Sequence, residues 1–164
     1  MNKLKVFIDN RQKNIKIPSG LRLLIRRTCH AVLSLEEFKG SAEISVSLVN
    51  NEQIRELNAK YRNKDVSTDV LSFPLGENGH WDIAMDTGAY MLGDIVISLE
   101  QALKQSDMYN HALSREVAFL TAHSVLHLLG YDHEKSALER VRMREKEEAA
   151  LNSLGLNRDT TYLE

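Results

Sequence analysis

The chain carries one cysteine, Cys29, among its 164 residues. That excludes an intramolecular disulfide framework and fits a reducing compartment. Cys29 lies in an apolar-rich stretch, which predicts a buried and inert thiol. No apolar run approaches the ~20 residues that a membrane-spanning helix needs. The opening stretch "MNKLKVFIDNRQ" lacks the sustained apolar segment of a secretory signal, so the expectation is a cytoplasmic protein with no membrane association. An excess of one charge is also missing. The formal net charge is −2, which argues against indiscriminate nucleic-acid binding through bulk basicity but leaves room for a local basic cleft. There is no internal repeat, low-complexity tract or linker rich in Pro, Gly and Ser. One domain spanning residues 1–164 is therefore expected.

What is present reads as an ordinary folded domain, 43% hydrophobic and 27% charged. A chain this long buries roughly 70% of its unfolded surface and needs no covalent staple. "LKVFID" and "AEISVSLV" alternate apolar and polar residues, the pattern of half-buried strands. "TDVLSFP" is a short strand stopped by Pro74. "LGDIVIS" is apolar almost throughout and reads as a central strand. Between these lie helical patterns. The first runs through Leu21, Leu24, Ile25 and Val32. The second opens on Asn50 with Gln53 completing a capping box, and the third opens on Ser98 and Gln101. "SREVAFLTAHSVLHLLG" is the clearest helix, with Ser114 expected as its cap and Gly130 at its left-handed end. "SALERVRMREKEEAALNSLG" is the last, and reads as a charged, solvated face. The glycine-rich "LGENGHWDIAMDTGAYM" reads as a loop. About four strands in a mixed sheet and about five helices predict an α/β (α+β) layered fold.

"AHSVLHLLGYDHE" places three histidines within eleven residues. His123 and His127 are four apart, hence on one face of a helix. Gly130 ends the helix and turns the chain back, so His133 reaches the same point from outside. Three imidazoles leave a fourth tetrahedral position open, the arrangement of a catalytic zinc site rather than a closed structural one. Copper, nickel and iron also accept imidazole. The metallopeptidase motif H-E-x-x-H-x-x-G-x-x-H has these offsets, but its general base is the glutamate, and here Ser124 stands in that place. A hydroxyl cannot accept a proton as a carboxylate does. A Lewis-acid metal is still able to polarise a phosphoryl oxygen.

"HSVLHLLGYDH" resembles the H-G-x-L-H-L-x-G-Y-D-H signature of the YbeY family of bacterial rRNA-maturation endoribonucleases. "LNAKYRNKDVSTDVLSFP" and "LGDIVIS" are similar to two further blocks of that family. Together the blocks run from about Leu57 to His133. Ser124, in place of the usual glycine, is the one departure in the signature. The resemblance implies a single α/β domain with a zincin-like metal helix. It implies one Zn²⁺ held by His123, His127 and His133. It also implies hydrolysis of single-stranded RNA in small-subunit rRNA 3′-end maturation and in ribosome quality control. His123 and Arg62 are the implied catalytic residues, and Arg62 grips a phosphate. Association with the small ribosomal subunit, one of its proteins and an Era-type GTPase follows from the same resemblance. Two other readings stand beside it: a zincin-type metallopeptidase, and a non-catalytic ribosome-assembly factor with a structural metal.

Other residues read as structural. Asp132 is expected to steady the turn or a ligand imidazole, and Glu134 to be exposed. Asp69 and Asp94, each at the start of an apolar strand, are structural by default, with a loop hydrogen bond or the orientation of a site group as the alternative; His30, His80 and His111 lack partners at ligand spacing. Arg22 and Arg26 share a helix face with Arg27 beside them, where a solvated surface is the default and an RNA track the alternative. Trp81 and Tyr90 are expected to pin a loop rather than stack bases.

Overall fold

A computed structural model of the chain describes residues 3–77 and 79–156. The remainder of the expected 1–164 domain, Asn78 included, lies outside the described residues. The elements in order are β1 (Leu4–Asn10), α1 (Leu21–Leu35), β2 (Ala42–Val49), α2 (Asn51–Arg62), β3 (Val70–Pro74), β4 (Gly76–Glu77), β5 (His80–Trp81), β6 (Tyr90–Ser98), α3 (Leu99–Met108), α4 (Leu113–Leu128) and α5 (Ala137–Ser153). A four-stranded sheet runs β1-β2-β6-β3. β1, β2 and β6 are parallel, and β3 closes one edge antiparallel to β6. The expected mixed sheet with five helices is therefore found.

The central strand explains its own composition. Ile95 and Ile97 face the main core with α1 and α4, while Val96 faces α2 together with Ile54 and Leu71. A strand covered on both sides has no polar face to alternate. The capping box at the start of α2 forms as expected. Asn50 accepts from the Gln53 amide at 2.8 Å, and the Gln53 side chain accepts from the Asn50 amide at 2.9 Å. The Ser98 hydroxyl accepts from the Gln101 amide at the head of α3.

Two expectations are corrected. Residues 75–91 are not all loop: β4 and β5 pair there as a small ribbon. Strands of two residues are too short to leave a period-2 pattern. Ser114 does not cap α4; the N-cap is Ala112, with no side-chain hydrogen bond. Tertiary contacts hold that end instead. Glu116 in the first turn lies 2.7 Å from His111 Nε2 and accepts from Gln105 Nε2 at 2.8 Å. A carboxylate there is also favoured by the helix dipole.

Cys29 is fully buried within the α1 layer. Burial pushes its thiol up to about 12, which keeps it protonated and inert at neutral pH. No helix among the described residues is long and apolar enough to cross a membrane.

Candidate metal centre

α4 runs through the middle of the helical layer. From Arg115 to Leu128 every residue is buried except Phe119, His123 and His127. These three sit four apart, so the one uncovered stripe of the helix carries the two histidines. The helix ends in a Schellman turn: Gly130 N–H donates to His127 O at 3.0 Å, and Tyr131 N–H to Leu126 O at 3.1 Å. Gly130 takes φ 109 there, a conformation that costs an L side chain and that glycine adopts freely. The chain then doubles back. Asp132 Oδ1 accepts from the Glu134 amide at 2.9 Å, so Asp132 steadies the turn. The Tyr131 hydroxyl donates to Glu36 Oε1 at 2.5 Å, and Lys146 Nζ donates to Glu36 Oε2 at 2.7 Å. The return loop is thus tied to both α1 and α5.

This route brings the three imidazoles together. His127 Nε2 lies 3.1 Å from His123 Nε2 and 3.1 Å from His133 Nδ1. One nitrogen from each ring falls within 4.8 Å of the others. Donors bound tetrahedrally at 2.0–2.1 Å stand about 3.3–3.4 Å apart, so the two separations from His127 Nε2 come within a few tenths of an ångström of what a first-row dication needs. The electrostatics point the same way. Burial first, then the neighbouring His123 and His133, push the His127 imidazole down from 6.5 to about 4. It is therefore neutral at physiological pH, the form that ligates.

The centre opens on a cleft of about 890 Å³ whose walls include Arg62, Asp69, His123, His127, His133 and Glu147. Arg62, the last residue of α2, lines the same cleft as the histidines. Its guanidinium donates to Ser72 O at 2.5 Å and lies 5.4 Å from the Phe73 ring centroid. That anchors the head group while most of its five donors have no partner among the described residues.

Ser124 faces the other way. It is 0% exposed, and its hydroxyl finds no hydrogen-bond partner among the described residues. Its hydroxyl does not line the cleft.

Glu147 was not legible as a site residue, because the charged sequence of α5 reads as a solvated face. The structure buries it to 4% exposure and sets its Oε2 2.5 Å from His123 Nδ1. A signal was available. Met143, Ala150 and Leu151 form the buried stripe of α5, and Glu147 lies on that stripe at i+4, i−3 and i−4. A lone carboxylate within an apolar stripe calls for a buried partner.

The remaining candidates separate from the cleft or stay structural. Asp94 and Glu134 are exposed, as are His30 and His80. Asp69 lines the cleft, but its carbonyl takes the Ser98 amide. His111 pairs with Glu116 at the head of α4. Arg26 and Arg27 line a separate groove beside β1. Trp81 and Tyr90 pack edge-on with Phe38, pinning residues 80–91 to the sheet.

The comparisons with known proteins agree with one another. The family model of Endoribonuclease YbeY matches residues 7–155. The chain is 52% identical over 160 residues to the Endoribonuclease YbeY of Caldanaerobacter subterraneus subsp. tengcongensis, an alignment spanning 94% of this chain and 100% of that one. It is 43% identical over 166 residues to the Endoribonuclease YbeY of Clostridium acetobutylicum, spanning 93% and 99%. Among solved structures, a Thermotoga maritima protein determined in solution superposes with a TM-score of 0.59 over 91% of both chains at 24% identity. At that identity the likeness speaks to the fold.

Proposed function

The chain belongs to the YbeY endoribonuclease family, and from that premise we propose that it is a metal-dependent endoribonuclease specific for single-stranded RNA. The observation that carries the metal dependence is the convergence of His123 Nε2, His127 Nε2 and His133 Nδ1 on one point at the floor of a cleft. Zn²⁺ is the ion we assign, since three neutral nitrogens are the donor set of catalytic zinc sites. When bound, such an ion supplies Lewis acidity toward a phosphoryl oxygen.

The chain's own residues do the rest. His123, His127 and His133 hold the dication, and burial keeps His127 neutral for that purpose. Arg62 is placed by Ser72 O and Phe73 to donate to a phosphate of an RNA strand lying in the cleft. Its charge stabilises negative charge that builds on the phosphoryl group during cleavage. The role in the cell that we propose is small-subunit rRNA 3′-end maturation and ribosome quality control in the cytoplasm. The proposed partners are the small ribosomal subunit, one of its proteins and an Era-type GTPase.

The metallopeptidase alternative needs a carboxylate beside the ion. Position 124 does not supply one, and the Ser124 side chain is buried in the core.

Elemental analysis beside cleavage of single-stranded RNA tests the proposal on wild type, His123→Ala and Arg62→Glu. His123→Ala should lose the metal and the activity. Arg62→Glu should keep the metal and lose at least tenfold in turnover, the scale of one strong charged contact to the transition state. Folded, metal-free protein that cuts RNA at the wild-type rate would overturn the reading.

A further inference from the structure

Glu147 is a carboxylate with little reason to be where it is, unless it serves the histidines. It is buried, it comes from a different helix than the ligands, and its side chain has one hydrogen-bond partner among the described residues, His123 Nδ1 at 2.5 Å. Burying a carboxylate is unfavourable unless a well-placed donor compensates. The positions around it on α5, Met143, Ala150 and Leu151, are apolar and buried, so an apolar side chain at 147 would serve packing better.

We propose that Glu147 is a positioning residue of the metal centre, acting through His123. The Nδ1–H of His123 donates to the Glu147 carboxylate. That leaves Nε2 unprotonated and turned toward His127 Nε2, 3.1 Å away. One contact thus sets both the tautomer and the rotation of the ring, and a carboxylate on the far nitrogen raises the basicity of the ligating one. The Phe119 ring stacks beside His123, with centroids 6.3 Å apart and planes 26° apart, and limits its swing. The inference rests on the reading of the three histidines as a metal site. It adds that α5 is part of that site rather than only a cover for the core.

The test measures affinity rather than turnover. Zn²⁺ and Co²⁺ dissociation constants, from competition with a chelator, are compared for wild type, Glu147→Gln, Glu147→Ala and the exposed control Glu145→Gln. Far-UV circular dichroism of each metal-free protein reports the fold. Glu147→Gln should weaken binding about tenfold and Glu147→Ala up to about 100-fold, the range seen when such outer partners are removed. Glu145→Gln should bind as wild type does. A purely structural Glu147 would lower the melting temperature of the metal-free variants and leave affinity within twofold of wild type, and that result overturns the assignment. Nitrogen NMR of metal-free wild type gives a second readout that does not depend on any variant folding. His123 should be protonated at Nδ1, and a proton found at Nε2 instead also overturns it. Wild type that binds zinc tightly but cuts no RNA leaves Glu147 in this role and removes only the endoribonuclease reading. Wild type that takes up neither ion removes the metal centre and this assignment together.

Discussion

Ser124 shows how one residue can stand in a functional motif and act on stability alone. It lies between His123 and Val125 on α4, and its hydroxyl is buried without a partner among the described residues. A buried, unsatisfied hydroxyl costs about 1–3 kcal/mol, and alanine keeps the Cβ while removing that cost. Alanine is also the better helix former. Ser124→Ala should therefore stabilise the protein by about 1 kcal/mol, raising the melting temperature by about 2–4 °C for a domain of this size. Zinc affinity should not change, because the side chain points away from the centre. Ser124→Gly, which restores the residue usual in the signature, should lose about 1 kcal/mol of helix propensity relative to alanine. Thermal melts of the three proteins check the order. A destabilised Ser124→Ala would mean that the hydroxyl has a partner the static structure does not show.

At the scale of elements, legibility followed the range of the interactions. The capping box of Asn50 and Gln53 and the cap at Ser98 were readable because each is settled within four residues. The two helix-borne ligands were readable for the same reason, and Gly130 with Tyr131 closes a local turn that delivers His133. Ser114 failed as a cap because His111 and Gln105, on the preceding segments, already hold the first turn through Glu116. Glu147 was hidden because its partner lies 24 residues away. Gly93 belongs to this class as well. The β2–β6 register skips Leu92 as a bulge, and Gly93 follows it at φ 149. A Cβ there would sit 2.4 Å from Phe73 O and 2.7 Å from Leu128 Cδ2. The first contact is backbone and cannot yield unless β3 separates from β6. Gly93→Ala should destabilise by about 3 kcal/mol or more, combining strained backbone with overpacking. β3 also carries Ser72 O, which holds Arg62. RNA turnover should therefore fall in the fraction that remains folded, with bound metal retained. Denaturant melts together with turnover per folded molecule check this. Full activity in a destabilised variant would disconnect β3 from the placement of Arg62.

For the whole molecule the deciding question is whether the centre closes the fold or merely sits on it. α4 buries eleven residues against α1, β3, β6, α3 and α5, and of these only Leu120 also lines the cleft. Each fully buried aliphatic side chain among them contributes about 1.5–3 kcal/mol. The core is therefore expected to stand with the ion removed. A ligand at 100 times its dissociation constant adds about 2.7 kcal/mol, which at 2–4 °C per kcal/mol is about 5–11 °C in melting temperature. Chelation at neutral pH should produce a drop of that size, with a cooperative transition retained. Acid should act on the chelated protein too, with a fixed sign. Unfolded His127 takes up a proton below about 6.5, whereas the folded residue resists protonation down to about 4. Between those values the unfolded state binds more protons, so the stability from keeping His127 neutral is present above 6.5 and lost as pH falls toward 4. Protons also displace the metal from its ligands over that range. The gap between chelated and loaded melting curves should accordingly be widest near neutrality and close in mild acid. A chelated protein already unfolded at neutral pH would make the ion a structural staple, and would move the weight of the functional argument from catalysis to assembly.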